Sequence, residues 1–201
     1  MIEESLFYIK EELSNYLIND IQDSGVEVEL GNIALFETDN TASINEKLII
    51  TLVNIEEEST LKNNKNVHYG ADGGIRYAMQ PIYLNLYLLF CCNYALYNTS
   101  LKRLGHVIRF FQQRRKFEVK STTSSQNENL FNEEEQTFRL IFELYTLTFE
   151  QINHLWGALG GRQLPSVMFK ARLVKIDDSR IYKKGPPIEE INATVESTNE
   201  C

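Results

Sequence analysis

A few side chains in this chain have the types and spacing for chemistry. Glu56, Glu57 and Glu58 are adjacent carboxylates, and paired carboxylates are the usual means of general acid and base work. Here they close an apolar run and read as a solvated strand end. Gly70-Ala-Asp-Gly-Gly74 has the look of a glycine-rich phosphate loop. It lacks the Lys-Ser/Thr that would reach a phosphate and does not join a strand to a helix. Three cysteines (Cys91, Cys92, Cys201) and three histidines (His68, His106, His154) could ligate a metal, yet no CxxC spacing is present and the histidines are scattered. His154 falls between the apolar Ile152 and Leu155, with no cysteine or acid at a triad-like position. The expectation is no catalytic residue, no cofactor and no metal.

Charge offers another kind of chemistry. Lys102, Arg103, Arg109, Arg114, Arg115, Lys116 and Lys120 face one acid, Glu118, so residues 102–120 carry +6 and the remaining residues −14 of the total −8. Two readings stay open: a solvated helix face, or a docking surface in which charge sets orientation and register. Nucleic acid does not fit, because no aromatic platform interleaves with the charges and the overall sign is wrong. Trp156, the single tryptophan, is either a core anchor or an interface hot spot. It opens a corner, Leu155 to Val167, that holds Gly160-Gly161 and Pro165 and would fix the positions of Arg162 and Gln163.

The elements that must position these groups can be read from periodicity. Ile2, Leu6, Ile9, Leu13, Leu17 and Ile21 recur at helical spacing and predict a helix over 2–22. Val26 to Leu30 alternates as a half-buried strand, and Ile33 to Phe36 extends it after a turn. Leu48 to Ile55 is apolar on both faces and predicts a central strand. Residues 59–78 read as a long polar loop. Ile82 to Phe90 alternates, with Ile82, Leu84, Leu86, Leu88 and Phe90 on one face and Tyr83, Asn85 and Tyr87 on the other. The adjacent Cys91 and Cys92 then point to opposite faces and suit a buried reduced pair. Leu101, Leu104, Ile108 and Phe111 mark a second helix over 97–115, followed by a polar loop at 121–129. Phe138 to Leu147 alternates again. Thr148 and Gln151 form a capping box for a third helix, 149–159, which Gly160-Gly161 stops. Val167 to Ile176 is the last strand, and an acidic, proline-containing flexible tail follows over 183–201. The expected fold is α+β: one domain over 1–182, with a mixed, largely antiparallel sheet packed by about three helices.

With 43% hydrophobic and 24% charged residues the composition is that of a soluble globular protein. Its N-terminus lacks the basic start and apolar core of a signal peptide. The longest apolar run, Leu84 to Cys92, is interrupted by Asn85 and falls well short of the roughly 20 residues a bilayer needs. A cytoplasmic protein with no membrane insertion is expected.

Three segments together resemble a known family: Leu48-Ile-Ile-Thr-Leu-Val-Asn-Ile-Glu-Glu-Glu58; Pro81-Ile-Tyr-Leu-Asn-Leu-Tyr-Leu-Leu-Phe90 followed by Leu104-Gly-His-Val-Ile-Arg-Phe-Phe-Gln112; and Glu143-Leu-Tyr-Thr-Leu-Thr-Phe-Glu-Gln-Ile-Asn-His-Leu-Trp-Gly-Ala-Leu-Gly-Gly-Arg-Gln-Leu-Pro-Ser-Val167. Their order and spacing are similar to those of the cap, or tail-terminator, proteins of extracellular contractile injection systems of the antifeeding-prophage type. The resemblance covers about residues 2–178. It implies a structural protein without catalytic residues, assembled in the bacterial cytoplasm and carried on a phage-tail-like particle. Its implied partners are copies of itself in a homohexameric ring, the inner tube protein and the contractile sheath protein. Its task would be to end polymerisation and join the last tube ring to the last sheath ring; another adaptor or baseplate component of the same machine is the alternative. A closed ring needs one patch that meets a different patch on its neighbour. Arg109, Arg114 and Arg115 facing acids such as Glu56 to Glu58 would serve, with Lys116 in the same expected interface. Lys170 and Arg172 would mark the last strand as an exposed edge open to a sheath arm. Trp156, Arg162 and Gln163 complete the expected interface.

Overall fold

The structure is a computed structural model that describes residues 2–35, 44–58, 67–69, 75–78, 83–123, 134–175 and 181–184. Its elements run α1 (Ile2–Asn15), β1 (Val28–Leu30), β2 (Lys47–Glu57), β3 (Val67–Tyr69), β4 (Ile75–Ala78), β5 (Leu84–Asn93), α2 (Tyr97–Gln113), β6 (Lys116–Thr123), β7 (Glu134–Tyr145), α3 (Phe149–Ala158), β8 (Ser166–Lys175) and β9 (Ile181–Lys184).

These form two compact units. The larger spans 1–59 and 82–177 and the smaller 60–81 and 178–201. The larger unit holds a six-stranded sheet in the order β1-β2-β5-β8-β7-β6. The β1–β2 pair is parallel and the other four pairs are antiparallel, so the sheet is mixed and largely antiparallel as expected. The smaller unit contains an antiparallel three-stranded sheet, β3-β4-β9. Residues 67–69 and 75–78 are therefore strands within what the sequence presents as a loop. They lack a long apolar alternation, and β4, which joins the two, pairs with β9 more than a hundred residues away, so no long local pattern announces them.

β5 is buried on both faces, which is why its sequence is a near-continuous apolar run. Leu86, Leu88, Phe90 and Cys92 join one cluster with Ile9, Leu13 and Leu17, together with Val107 and Phe110 of α2. Tyr87, Leu89 and Cys91 join the other with Trp156 of α3. The two cysteines face opposite ways as expected. Burial pushes both thiols up, Cys92 to about 12, so both stay protonated and unreactive at neutral pH. Phe111 links helix to sheet: its ring stacks on Phe142 at 4.4 Å and lies 4.6 Å from Phe169 and 5.2 Å from Phe90.

Several expectations need correction. The first helix ends at Asn15 and passes into a π-helical turn, Tyr16–Asp20, that still buries Tyr16 and Leu17. Ile33–Leu35 is a short 3-10 turn rather than a strand; Asn32 accepts from the Ala34 N–H at 3.0 Å and closes a local loop. Residues 116–123 form β6, whose Phe117 and Val119 are buried between charged neighbours. The last-strand expectation fails on topology. β8 is followed by β9, and β8 itself lies between β5 and β7, paired on both sides. An internal strand has no free edge for an incoming arm; the outer strands are β1 and β6. The flexible-tail expectation for 183–201 falls outside the described residues beyond Lys184. Among the described residues no helix is long and apolar enough to cross a membrane.

Candidate functional site

The basic segment is split among three elements. Lys102 and Arg109 lie on the exposed side of α2, Arg114 and Arg115 form the turn out of it, and Lys116 and Lys120 stand on the outward face of β6. Arg103 leaves the surface set. It is 7% exposed, donates to both carboxylate oxygens of Asp23 at 2.9 Å and sits 4.2 Å over the Tyr94 ring. Arg114 pairs with Glu12 and lies 4.7 Å over Phe117, which ties the turn to α1. The surface that remains carries Lys102, Arg109, Arg115, Lys116 and Lys120.

The carboxylates proposed to meet them are committed within the sheet. Glu58 accepts from Asn85 at 2.9 Å and lies 3.9 Å from Lys170 and 3.8 Å from Arg172. Glu56 accepts from the Tyr87 hydroxyl at 2.7 Å. Burial, reinforced by that carboxylate, pushes Tyr87 up to about 12 and keeps its hydroxyl a donor. Lys170 and Arg172 thus stand together on one face of β8, and Arg172 also approaches Glu143 of β7 at 3.9 Å. This is a cross-strand network of interleaved signs, and sequence reasoning saw only its separate charges.

The corner has the expected local geometry. Thr148 accepts from the Gln151 N–H at 3.2 Å and the Gln151 side chain accepts from the Thr148 N–H at 2.9 Å. Thr148→Ala should therefore lower the unfolding free energy by about 1 kcal/mol in urea denaturation. Gly160 and Gly161 take φ of 103° and 81°, a region that side chains rarely adopt. The Gly161 N–H returns to the Trp156 carbonyl at 2.6 Å. Trp156 is 6% exposed and packs among Ile33, Ile49, Leu89 and Met168, so it is a core anchor. Arg162 and Gln163 are exposed beyond the glycines.

A groove of about 570 Å³ opens at the end of β7 and the start of β8, between α2 and α3. Tyr97, Leu101 and Leu104 of α2 line it with Leu144 of β7. Tyr97, Leu101 and Leu144 are 65%, 46% and 58% exposed. Sequence reasoning missed this patch because the spacing of Leu101, Leu104 and Ile108 looks the same whether the stripe is buried or open. His106 is partly buried, and burial holds its imidazole below the usual value, with Lys102 acting in the same direction. His154 is exposed on α3. Among the described residues no group of histidines, cysteines and acids could hold a metal ion.

A family model described as the Pvc16 N-terminal domain matches residues 8–190. No curated protein matches the chain in sequence. Among solved structures, the chain is similar to the PVC sheath/tube terminator of an extracellular contractile injection system in its extended state. Identity there is 14% and the TM-score 0.58, over 100% of this chain and 65% of that one. It is also similar to the anti-feeding prophage cap, a tube-terminating cap, at 11% identity and a TM-score of 0.55, over 92% of this chain and 58% of that one. The chain thus spans less than two thirds of the length of either protein.

Proposed function

The chain belongs to the Pvc16 N-terminal domain family, and from that membership we propose that it is a terminator of a contractile injection system. In this reading it ends the growth of the inner tube and the contractile sheath, joins the last tube ring to the last sheath ring, and acts as a structural protein without catalysis, as a ring of six copies. The observation that carries the reading is the six-stranded sheet with its flanking helices, which superposes on a sheath/tube terminator and on a tube-terminating cap over nearly all of this chain. The surface is consistent with it: a positive patch at Arg109, Arg115 and Lys116 gives each copy a charged face for a different face of its neighbour.

Imaging of assembled particles carrying labelled chain tests the role. Label confined to the end away from the baseplate supports it; label at the baseplate, or along the particle, gives the role to another component of the machine. Charge reversal tests the ring. Arg114 is engaged by Glu12 within the chain, so the informative variant is Arg109→Glu with Arg115→Glu. Its thermal midpoint should stay near wild type, because both side chains are exposed. Its association with particle ends should weaken on the order of tenfold or more, measured by co-sedimentation; equal sedimentation would remove the positive patch from the interface.

A further inference from the structure

The groove at the end of β7 is bordered by backbone that the sheet leaves unpaired. β6 begins at Lys116, opposite Ile141, and the Phe142 N–H still reaches the Arg115 carbonyl at 2.8 Å. Backbone groups that face one side of a strand recur at every second residue, so the N–H and C=O of Leu144 face the side that β6 has left. The same holds on β8. The Cys92 N–H donates to the Pro165 carbonyl at 3.0 Å, which turns Ser166 toward β7, yet β7 pairing stops at Tyr145 opposite Met168. Among the described residues no backbone hydrogen bond reaches Leu144 on its outer side or Ser166 on its β7 side. Both residues line the groove, with Tyr97, Leu101 and Leu104 of α2.

An unpaired strand edge beside an apolar wall is the arrangement that accepts an added strand. Two other stretches of edge in this sheet are guarded. β2 beyond β1 carries a register irregularity between Leu52 and Asn54, then Glu56 and Glu57. The outer strand β6 alternates Lys116, Glu118 and Lys120 with its buried residues. At Leu144 there is neither bulge nor proline. The chain cannot fill the place by lengthening β6, because α2 runs directly into it at Arg114 and Arg115. The exposed charges on α2, β6 and the turn between them are Lys102, Arg109, Arg114, Arg115, Lys116, Glu118 and Lys120; the one acid among them, Glu118, accepts from Arg139 at 2.9 Å, so the side is net positive.

We propose that this groove binds a short extended segment of another protein, added beside Leu144 in line with β6. Alternate apolar side chains of that segment meet Tyr97, Leu101 and Leu144, and an acidic residue at its end next to β6 meets Arg115. The inference rests on this chain's own edge and not on the terminator role, which particle imaging tests separately.

A phage-displayed library of random octapeptides, panned on the full chain with counter-selection on Leu144→Arg, tests it. Leu144 is 58% exposed, so the variant should keep the wild-type thermal midpoint; Leu101→Glu provides a second disruption on a different element. The expected result is enriched peptides with apolar residues at alternate positions and Asp or Glu near one end. They should bind wild type at least about tenfold more tightly than either variant, lose binding when alternate peptide amides are N-methylated, and slow amide exchange at Leu144. Four results would overturn the proposal: no enrichment over Leu144→Arg; enriched peptides with apolar residues spaced by three and four, as a docked helix requires; binding indifferent to N-methylation; or concentration-dependent protection of Leu144 without peptide, which would assign the groove to a second copy.

Discussion

Arg103→Leu should lower the unfolding free energy by about 3 kcal/mol in urea denaturation at neutral pH. Removing one partner of a buried ion pair leaves the other charged and unpaired, at a cost of roughly 3–5 kcal/mol. The lower end applies because the Asp23 side chain keeps 18% of its surface exposed. Arg103 is held along one edge by two 2.9 Å bonds to Asp23 and across its face by the Tyr94 ring at 4.2 Å. It therefore joins α2 to the segment that leaves α1. Leucine preserves apolar volume, so the loss should come mainly from the stranded carboxylate. Asp23→Asn is nearly isosteric and strands the guanidinium instead, the more buried of the two partners, so its cost should be of similar size.

The pH dependence gives an independent check. The Arg103 guanidinium holds the Asp23 carboxyl below its ordinary value, chiefly through their hydrogen bonds. A carboxyl lowered in the folded state stabilises fully above its unfolded pKa, about 4, and that contribution disappears as pH falls through the lower folded value. The stability gap between wild type and Asp23→Asn should be constant from pH 7 to about 5 and should narrow below pH 4. A gap unchanged down to pH 2 would show that Asp23 stabilises by packing alone.

Arg103 also explains what the sequence concealed. Helical spacing located α2 to within two residues, yet the residues it buries are Ser100, Arg103, Val107, Phe110 and Phe111, while Leu101 and Ile108 are 46% and 39% exposed. A charged residue on the buried face and leucines on the open one shift the apparent phase of the stripe. The partner that makes Arg103 buriable lies 80 residues away, at Asp23, where no local pattern records it. β6 escaped for a related reason: Lys116, Glu118 and Lys120 alternate with two buried residues, Phe117 and Val119, and the strand looks like a continuation of the basic cluster. What was legible was local. β5, β7, the capping box at Thr148 and the stop at Gly160-Gly161 each need only their own neighbours. The place of β8 inside the sheet, the partners of Glu56 and Glu58, and the step beyond Phe142 depend on strand order, which periodicity does not encode.

Trp156→Ala should be the most damaging change at the corner, lowering the unfolding free energy by about 3–5 kcal/mol, the usual range for removing a buried tryptophan. The ring is 6% exposed and fills the space between α3 and the sheet face of Ile49, Leu89 and Met168. Alanine leaves that space empty, because Gly160 and Gly161, at φ of 103° and 81°, hold a turn that cannot close over it without changing conformation. A hot spot behaves differently: truncating an exposed interface tryptophan costs binding and leaves folding nearly intact. Urea denaturation followed by far-ultraviolet circular dichroism therefore decides between anchor and hot spot, and a loss below about 1 kcal/mol would refute the anchor. Gly160→Val carries the argument to function. It removes no buried atom, and an added Cβ approaches only the Ala34 carbonyl, at 4.0 Å. Its cost is backbone strain of about 1–3 kcal/mol, relieved by shifting the turn that carries Arg162 and Gln163. If the corner docks through those two residues, Gly160→Val should weaken association with particle ends in chain that remains folded. Arg162→Ala, at an exposed position, should weaken the same association.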